Sequence, residues 1–393
     1  MCYYILNGGR DVDIYLAGMG NMNGKLNIYF AGDYMFPYEA STTDVYLLGY
    51  NRLLSYDYQK KLVDKIIERK KQLKLYLAGA DKFGAEERRK ALDLYLAGSY
   101  AESAETLKQV VPSNVLFSYE NLQIKEPKGL DIYHMFGAKL FIDSGAYSMW
   151  TKGVTINVDE YINWLNERAD YLDLFGQVDA IPGTKEGGAT QKEVRDAAQK
   201  TWENYLYMRS KLKKPEGLLY TFHVGEPKEF LEQALEWTDE NGKHIPYIAL
   251  GGMVGKTAQT RRHFMEMCFK IIRNSSNPNV KVHAFGMTSK DLLGEFPVTS
   301  ADSTSWIMTA ANGGIMTDVG VVTVSSNRIN EPTHYSHLPA DLLQEFEKEV
   351  GEFGFTLEEL ANERNKRVIH NARYMKDRIS KIVYKPTGRR TLF

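Results

Sequence analysis

The sequence predicts an α/β protein whose main domain is a (β/α)₈ TIM barrel. From Asn114 onward, apolar strand-like segments alternate with amphipathic helical segments at the spacing of successive βα units. Eight such strands can be counted, which is the number that closes a parallel barrel. The chain has 393 residues, 43% of them hydrophobic and 25% charged, so it exceeds the roughly 250 residues of a typical barrel. An open doubly wound sheet is the alternative architecture.

The predicted strands end in polar residues or glycine at several points. They cover residues 115–118, 139–143, 172–179, 218–224, 247–251, 281–285, 298–302 and 314–318. Between the second and third strands, Asn157 can cap a helix with Glu160 at the reciprocal position, and the apolar residues from Val158 to Leu165 share one helical face. Further helices are predicted over residues 192–212, 228–239, 258–272 and 289–295.

Two regions flank the barrel domain, which is predicted over residues 113–335. Residues 1–112 contain five copies of a short apolar phrase ending in glycine, beginning at residues 13, 27, 44, 74 and 93. The irregular spacing of these copies excludes a solenoid with one fixed period, and we predict an additional N-terminal α/β region. Residues 336–393 are predicted as a basic, helical C-terminal segment that packs on the barrel.

The C-terminal segment is a candidate nucleic-acid-binding surface. Residues 362–393 carry ten Lys and Arg against two acidic residues, although the whole chain has a net charge of only −1. A cationic strip of this kind can contact phosphates. The proposed contacts are Arg367, Arg373, Lys376, Arg378, Lys381, Arg389 and Arg390. The alternative is a solvated helix face without a partner.

Composition excludes several classes of protein. The two cysteines, Cys2 and Cys268, are too few for a disulfide framework or a four-cysteine zinc site. His334 and His337 lack the neighbouring ligands of a metal site, so no metal is expected. No apolar run approaches the roughly 18 residues of a membrane span, and the N-terminus has no signal-peptide pattern, so we expect a cytoplasmic protein without a membrane partner. The oligomeric state cannot be predicted.

Three aspartates close predicted barrel strands. Asp143, Asp179 and Asp302 follow apolar segments, and the carboxyl ends of barrel strands converge on one mouth. Carboxylates held close together repel each other, which raises the pKa of one so that it can act as an acid while another stays an ionised nucleophile or base. This pattern indicates two-carboxylate substitution chemistry. The alternative for each aspartate is a turn or helix-cap role before Ser or Gly.

Other strand ends carry weaker signals. Gly251 and Gly252 allow a flat ligand or a phosphate to approach backbone N–H groups, although they also suit a tight strand-to-helix turn. His223 is a candidate ligand or acid/base group. His283, which lies within a strand, is a weaker candidate, because a lone histidine is more often a hydrogen-bonded structural residue.

Five short motifs together resemble a known family. They are Asp143-Ser-Gly-Ala-Tyr147, Val178-Asp179, Leu250-Gly-Gly252, His283-Ala-Phe-Gly-Met287 and Asp302-Ser-Thr-Ser-Trp306. In this order and spacing they resemble the tRNA-guanine transglycosylase superfamily, and more closely its phage-type branch, which inserts 7-deazaguanines into DNA. The resemblance covers roughly residues 114–318.

The resemblance implies that a free 7-deazaguanine base replaces guanine in DNA. Asp302 would be the nucleophile at the sugar C1′, Asp143 would shuttle the proton, and Asp179 would accept hydrogen bonds from the base edge. Tyr147 and Met287 would sandwich the ring. The full substrate-binding set is Asp179, Ser144, Tyr147, His223, Gly251, Gly252, Phe285, Gly286 and Met287. Retention at an anomeric carbon also requires a carboxylate nucleophile about 5 Å from a second acid/base, so Asp143 and Asp302 should be close.

Departures from the family leave alternatives. The cysteine-rich zinc site of the tRNA enzymes has no counterpart after Cys268, so we expect no zinc and no cofactor, and DNA is favoured over tRNA. A tRNA-guanine transglycosylase remains one alternative. The phrase Ile14–Gly18 is similar to the opening strand of nucleoside deoxyribosyltransferases, which gives a second. A non-catalytic nucleic-acid-binding barrel is the third.

Overall fold

The computed structural model divides the chain into two units. The described residues are 92–99, 102, 106, 109–110, 114–124, 138–183 and 187–384, together with the backbone of 44–46 and 74–76. One unit comprises Met1–Phe83 and Lys128–Ala138, and the other comprises Gly84–Pro127 and Lys139–Phe393. In the first unit, β1 (Asp44–Tyr46) pairs in parallel with β2 (Lys74–Tyr76). The copies of the repeated phrase at residues 13 and 27 lie outside the described residues, as does most of the predicted N-terminal region.

The second unit is built on a closed barrel of eight parallel strands, which confirms the α/β class and the barrel. The strands are β3 (Asp93–Ala97), β4 (Asn114–Ser118), β5 (Lys139–Asp143), β6 (Leu174–Gly176), β7 (Leu218–His223), β8 (Tyr247–Gly251), β9 (Lys281–Ala284) and β10 (Ser300–Ser303). They follow each other around the barrel in chain order, and β10 closes it by pairing with β3, with Asp302 opposite Tyr95.

The strand prediction was wrong at both ends of the barrel. The first strand is β3, which lies before the predicted start at residue 113, and the segment predicted as the eighth strand is outside the barrel. That segment forms β11 (Gly314–Thr317), which pairs antiparallel with β12 (Gly320–Thr323). Only two residues separate β11 from β12, which suits a hairpin and leaves no room for a crossover helix.

Helices connect the strands and extend the chain beyond the barrel. They are α1 (Tyr119–Ile124), α2 (Ala146–Thr151), α3 (Val158–Glu167), α4 (Gln191–Lys211), α5 (Glu229–Glu236), α6 (Ala258–Asn274), α7 (Lys290–Glu295), α8 (Ser305–Ala311), α9 (Ala340–Glu352), α10 (Leu357–Asn362) and α11 (Arg364–Tyr374), and a π-helical turn at Met375–Ile379 follows. The predicted crossover helices correspond to α4, α5, α6 and α7. Among the described residues, no helix is both long and apolar enough to span a bilayer.

Local capping sets the start of the crossover helix α3. The Oδ1 atom of Asn157 accepts hydrogen bonds from the backbone N–H groups of Asp159 and Glu160, as the sequence predicted. The reciprocal contact differs from a standard capping box, because the Glu160 carboxylate accepts from the Asn157 side-chain amide rather than from its backbone.

The barrel interior determines which side chains reach the mouth. Tyr95, Leu116, Phe141, Leu219 and Ala249 belong to the buried interior cluster. Because strand residues alternate between the two faces, the residues two or four positions further along also face inward. Asp143 on β5, His223 on β7 and Gly251 on β8 occupy such positions at the carboxyl ends of their strands. The sequence alternation therefore directs these residues to one mouth.

The C-terminal helices pack against the last elements of the same unit. The Asn371 amide on α11 donates to the Trp306 carbonyl on α8 at 3.1 Å, and its Oδ1 accepts from the Met316 N–H on β11 at 2.8 Å. Beyond α11, the carbonyl of Ser380 accepts a hydrogen bond from the N–H of Leu92 at 3.1 Å. Helix α11 and the turn after it are therefore fixed by hydrogen bonds to the β11 edge and to the start of β3.

Candidate active site

Asp302 lies on β10 and is nearly enclosed. Its side chain is buried, and Oδ1 accepts a hydrogen bond of 2.9 Å from the Gly286 N–H. Nε2 of His283 lies 3.3 Å from the same oxygen. Within the described residues, Oδ2 accepts no hydrogen bond. One oxygen of this carboxylate is therefore held by two neighbours, and the other has no hydrogen-bond donor among the described residues.

Asp143 ends β5 and has a different environment. Its Oδ2 accepts from the Gly145 N–H at 3.1 Å. Burial raises the pKa of the Asp143 carboxyl to about 7, and the charges of Asp179 and Asp302 add to this rise, while the Gly145 hydrogen bond and His223 oppose it. Asp143 therefore exchanges a proton near neutral pH, as a general acid and base must. The influence of Asp302 on this pKa is consistent with the predicted convergence of the two carboxylates on one mouth.

Asp179 and His223 form a pair beside Asp143. His223 Nε2 lies 3.3 Å from Asp179 Oδ2, and His223 Nδ1 lies 3.0 Å from Glu226 Oε1. Burial lowers the pKa of His223, but the Asp179 and Glu226 carboxylates outweigh it and raise that pKa well above its ordinary value. The imidazole is therefore charged at neutral pH, and both ring nitrogens donate. Asp179 Oδ1 accepts a further bond of 3.0 Å from the Gln177 amide.

The role predicted for Gly251 needs correction. A Cβ atom at this position would lie 2.6 Å from Cδ2 of His223, well inside van der Waals contact. The missing side chain therefore makes room for the His223 ring, a role that the sequence did not predict for Gly251. Gly252, in contrast, is exposed and has a positive φ of 73°, which favours glycine in the turn after β8. Gly252 retains the predicted access to its backbone.

The predicted base sandwich is not formed by the side chains as they stand. Tyr147 is 67% exposed on the first turn of α2, with its ring centroid 5.9 Å from that of Trp150. Met287 is completely buried and presents no surface to a ring. Ser144 is also buried, and its Oγ accepts from the Ala146 N–H at 3.4 Å, which is a turn contact. Of these predicted base contacts, only Tyr147 is open to a ligand.

Phe285 and Gly286 serve the site indirectly. The Phe285 ring packs on the interior cluster with its centroid 4.6 Å from that of His283. Gly286 supplies the N–H that binds Asp302 and has a positive φ of 63°, where a side chain is strained. The motif that contains them therefore shapes the surroundings of Asp302, which follows it along the chain.

Several residues at the site were not singled out from the sequence. Glu226 binds His223, Gln177 binds Asp179, and Ser300 binds His283. Tyr247 in turn binds Ser300. The sequence makes His283 only a weak candidate, yet its side chain is fully buried and contacts Asp302 directly. The signal that could have found it is the period of two along β9, which places His283 and Phe285 on the same inward face.

The basic C-terminal residues are mostly engaged within the protein, and this corrects the predicted cationic strip. Arg367 is buried and donates to the carbonyls of Leu360 and Ala310 at 2.7 and 3.1 Å. A buried guanidinium cannot bind a phosphate on the surface. The prediction for Arg367 is therefore wrong.

The remaining members of the strip differ among themselves. Arg373 donates to the Phe353 carbonyl at 2.9 Å, and Arg378 contacts the carboxylates of Asp318 and Glu352 at 3.2 and 3.3 Å. Lys376 is partly buried, and Lys381 is exposed at 3.6 Å from Asp377. Arg389 and Arg390 lie outside the described residues. Lys381 is thus the most exposed of the predicted phosphate contacts that the structure describes.

No metal centre is evident in the part of the chain that the structure describes. That part contains no group of three or more His, Cys, Asp or Glu side chains arranged to hold an ion. His334, considered from the sequence, instead contacts the Ser336 hydroxyl through Nδ1 at 2.7 Å. Cys268 is a buried free thiol on α6.

Comparison with known proteins found no matching family model and no match among curated proteins. Two carboxylates with different surroundings, a charged histidine between two further carboxylates and an exposed aromatic ring can together carry out nucleophilic substitution with proton transfer.

Proposed function

We propose that this protein is a base-exchanging pentosyltransferase that replaces guanine in DNA with a free 7-deazaguanine through a covalent bond to Asp302. The observation that supports this most is the contrast between two carboxylates at one barrel mouth. Asp302 has one oxygen held by Gly286 and His283, while the pKa of Asp143 is raised to about 7. Such a contrast divides the roles of nucleophile and acid/base between two similar side chains.

The exchange consists of two balanced displacements. Oδ2 of Asp302 attacks C1′ of the deoxyribose, the C1′–N9 bond breaks with its electron pair on the guanine, and protonated Asp143 supplies the proton that neutralises the leaving base. Asp143, now a carboxylate, then removes the N9 proton of the incoming 7-deazaguanine. N9 of this base attacks C1′ and expels Asp302. Two inversions give overall retention, and Asp143 is returned to its starting protonation state.

Asp179 is the candidate reader of the base edge. Guanine and 7-deazaguanine share N1–H and 2-amino donors, which a carboxylate can accept together. Both Asp179 oxygens already contact protein donors, from Gln177 and His223, but each carboxylate oxygen has a second lone pair. The two protein contacts fix the orientation of Asp179, so its free lone pairs are presented in one direction. This preorganisation favours a planar donor edge.

DNA is proposed as the polymer on the basis of the sequence resemblance and of the lack of cysteines after Cys268. A guanine inside a duplex must leave the stack before its C1′ can be reached, at a cost of about a few kcal/mol. Exposed Tyr147 lies in the first turn of α2, four residues after Asp143, where it can stack with an extruded or flanking base.

The free-nucleoside alternative has weaker support. It depended on similarity of the phrase Ile14–Gly18 to an opening strand in nucleoside deoxyribosyltransferases. The related phrase at residues 93–98 forms β3, a strand of the barrel. Its one acidic residue, Asp93, begins the strand and so lies at the end opposite the mouth. Strand formation therefore explains the copy at residues 93–98, while Ile14–Gly18 lies outside the described residues.

Transfer of radiolabel tests the proposed function. Purified protein is incubated with DNA and a radiolabelled 7-deazaguanine, and label is expected in the DNA for the wild type but not for Asp302→Asn. Asp93→Asn is a matched control, because this carboxylate begins β3, at the end of the barrel opposite the mouth, where it binds Lys139. Label in tRNA rather than DNA, or exchange of thymidine with a free purine alone, would each overturn the DNA assignment.

A further inference from the structure

A chain of hydrogen bonds runs through the barrel interior to Asp302. The Tyr247 hydroxyl on β8 donates to Ser300 Oγ at 2.6 Å, and Ser300 Oγ lies 2.6 Å from His283 Nδ1. His283 Nε2 in turn lies 3.3 Å from Asp302 Oδ1. Tyr247, Ser300 and His283 are all buried. These contacts connect three neighbouring strands, β8, β9 and β10, beneath the reacting carboxylate.

The donors in this chain have a defined order. Tyr247 donates its only hydroxyl proton to Ser300 Oγ. The Ser300 hydroxyl can therefore donate its own proton to Nδ1 of His283. Nδ1 is then an acceptor, so the ring proton is on Nε2 and is donated to Asp302 Oδ1. A hydrogen bond from the other ring nitrogen commonly sets the tautomer of a histidine in this way.

Aromatic packing holds the His283 ring in place. Ring centroids of Phe285, Phe141 and Tyr95 lie 4.6, 4.8 and 6.1 Å from that of His283, each in an edge-on arrangement. A ring enclosed on several sides cannot leave its rotamer without disturbing the barrel interior. The direction of its Nε2–H is therefore fixed relative to β10.

We propose that His283 is a positioning residue that donates from Nε2 to Asp302 Oδ1 and, with the Gly286 N–H, leaves Oδ2 as the attacking oxygen. This inference rests on the proposed role of Asp302 as nucleophile. Both donors contact the same oxygen, so rotation of the carboxylate about its Cβ–Cγ bond would break two hydrogen bonds. His283 touches no substrate in this scheme and acts through Asp302 alone.

Two amide substitutions at His283 distinguish the contributions of its two ring nitrogens. His283→Gln places an N–H near the position of Nε2 and keeps the donor to Asp302, whereas His283→Asn places its amide near Nδ1 and keeps only the Ser300 contact. The rate of covalent adduct formation at saturating DNA should stay within about fivefold of wild type for Gln and fall about 100-fold for Asn, since misplacement by 1 Å can cost that much. KM for DNA should be unchanged in both, because the substrate does not contact residue 283.

Spectroscopy tests the tautomer without relying on activity. In protein labelled with ¹⁵N-histidine, the ring signals missing from His283→Gln identify residue 283, and they should show a neutral ring protonated on Nε2. Ser300→Ala removes the bond to Nδ1 and should shift those signals toward a mixture of tautomers. A ring protonated on Nδ1, or equal adduct rates for the Gln and Asn variants, would overturn the inference. Failure of the wild type to form any adduct would instead overturn the proposed function, while the tautomer would still be measured.

Discussion

The N–H of Gly286 donates a 2.9 Å hydrogen bond to Oδ1 of Asp302, and this bond links the loop after β9 to the carboxylate on β10. Gly286 has a φ of 63°, and a Cβ at this position would also lie 2.5 Å from a Val254 methyl group. The loop can therefore approach Asp302 in this way only with glycine at position 286. The orientation of the proposed nucleophile thus depends on a backbone conformation that requires glycine at position 286.

The raised pKa of Asp143 predicts a specific pH dependence of stability. Its pKa is about 7 in the folded protein and near 3.8 when unfolded, so the folded state binds more protons between these values, and stability falls as pH rises through this window. Asp143→Asn removes the buried charge and should raise the free energy of unfolding by roughly 2–4 kcal/mol at pH 8 and by much less at pH 4. Urea unfolding at both pH values measures this. An equal effect at the two pH values would contradict the raised pKa.

His223→Gln should destabilise the protein, because the substitution leaves Asp179 and Glu226 without their shared cation. Loss of one partner from a buried ion pair lowers the free energy of unfolding by about 3–5 kcal/mol. The His223 side chain is partly exposed, so the expected decrease is about 3 kcal/mol or less. His223 has a raised pKa, so its contribution is fully present below its unfolded pKa of about 6.5 and is lost as pH rises through the folded value.

The same substitution should affect Asp143. His223 lowers the Asp143 pKa, and the first displacement needs protonated Asp143, so the alkaline limb of the activity profile should move to higher pH in His223→Gln. The pH profile of kcat/KM measures this shift. A profile that is unchanged, or that moves to lower pH, would show that the His223 charge does not act on Asp143.

Gly251→Ala tests the packing of the His223 ring against β8. The added methyl group would lie 2.6 Å from the ring, so either the ring or the strand must move, at a cost of about 1–3 kcal/mol. Activity should fall together with stability because His223 orients Asp179. Gly188→Ala is the control, since nothing lies within 4 Å of its added methyl group and its φ is ordinary. Equal stability of the two variants, measured by thermal unfolding, would refute the close contact.

Arg367 and Lys381 should respond differently to substitution. Arg367→Leu leaves the carbonyls of Leu360 and Ala310 without a donor and should cost about 2–3 kcal/mol of stability, with little change in DNA affinity when measured well below the melting temperature. Lys381→Ala should change stability by less than about 0.5 kcal/mol. If Lys381 contacts a phosphate, its removal should also reduce the salt dependence of DNA binding by about one counterion. A large affinity loss for Arg367→Leu alone would reverse this assignment.

The sequence predicted the strand and helix features that depend on local periodicity. It did not predict the features that depend on which strands pair with each other around the barrel. Asp143 and His223 were found because each ends an apolar strand, and strand ends are visible in one segment. Strand β3 was assigned to another region, since a pairing between residues 93–97 and β10 spans about two hundred residues and leaves no local mark.

The same limit explains the site residues that were missed or misassigned. The contact between Ser300 and His283 depends on the register of two strands, so neither residue reveals the other. Arg367 looks like part of a charged surface along the chain, but the packing of α11 turns it inward. Charge composition describes a segment, whereas burial depends on the helix face that meets the barrel.

The central claim is tested most directly by trapping the intermediate. Wild-type protein is mixed with guanine-containing DNA in the absence of free base, denatured rapidly, digested with nuclease and protease, and analysed by mass spectrometry. The peptide containing Asp302 should carry one deoxyribose ester, and Asp302→Asn should give no such adduct. Addition of 7-deazaguanine before denaturation should release the DNA and regenerate the free enzyme. An adduct on a different residue, or turnover of DNA with Asp302→Asn at the wild-type rate, would contradict the assignment of Asp302 as nucleophile.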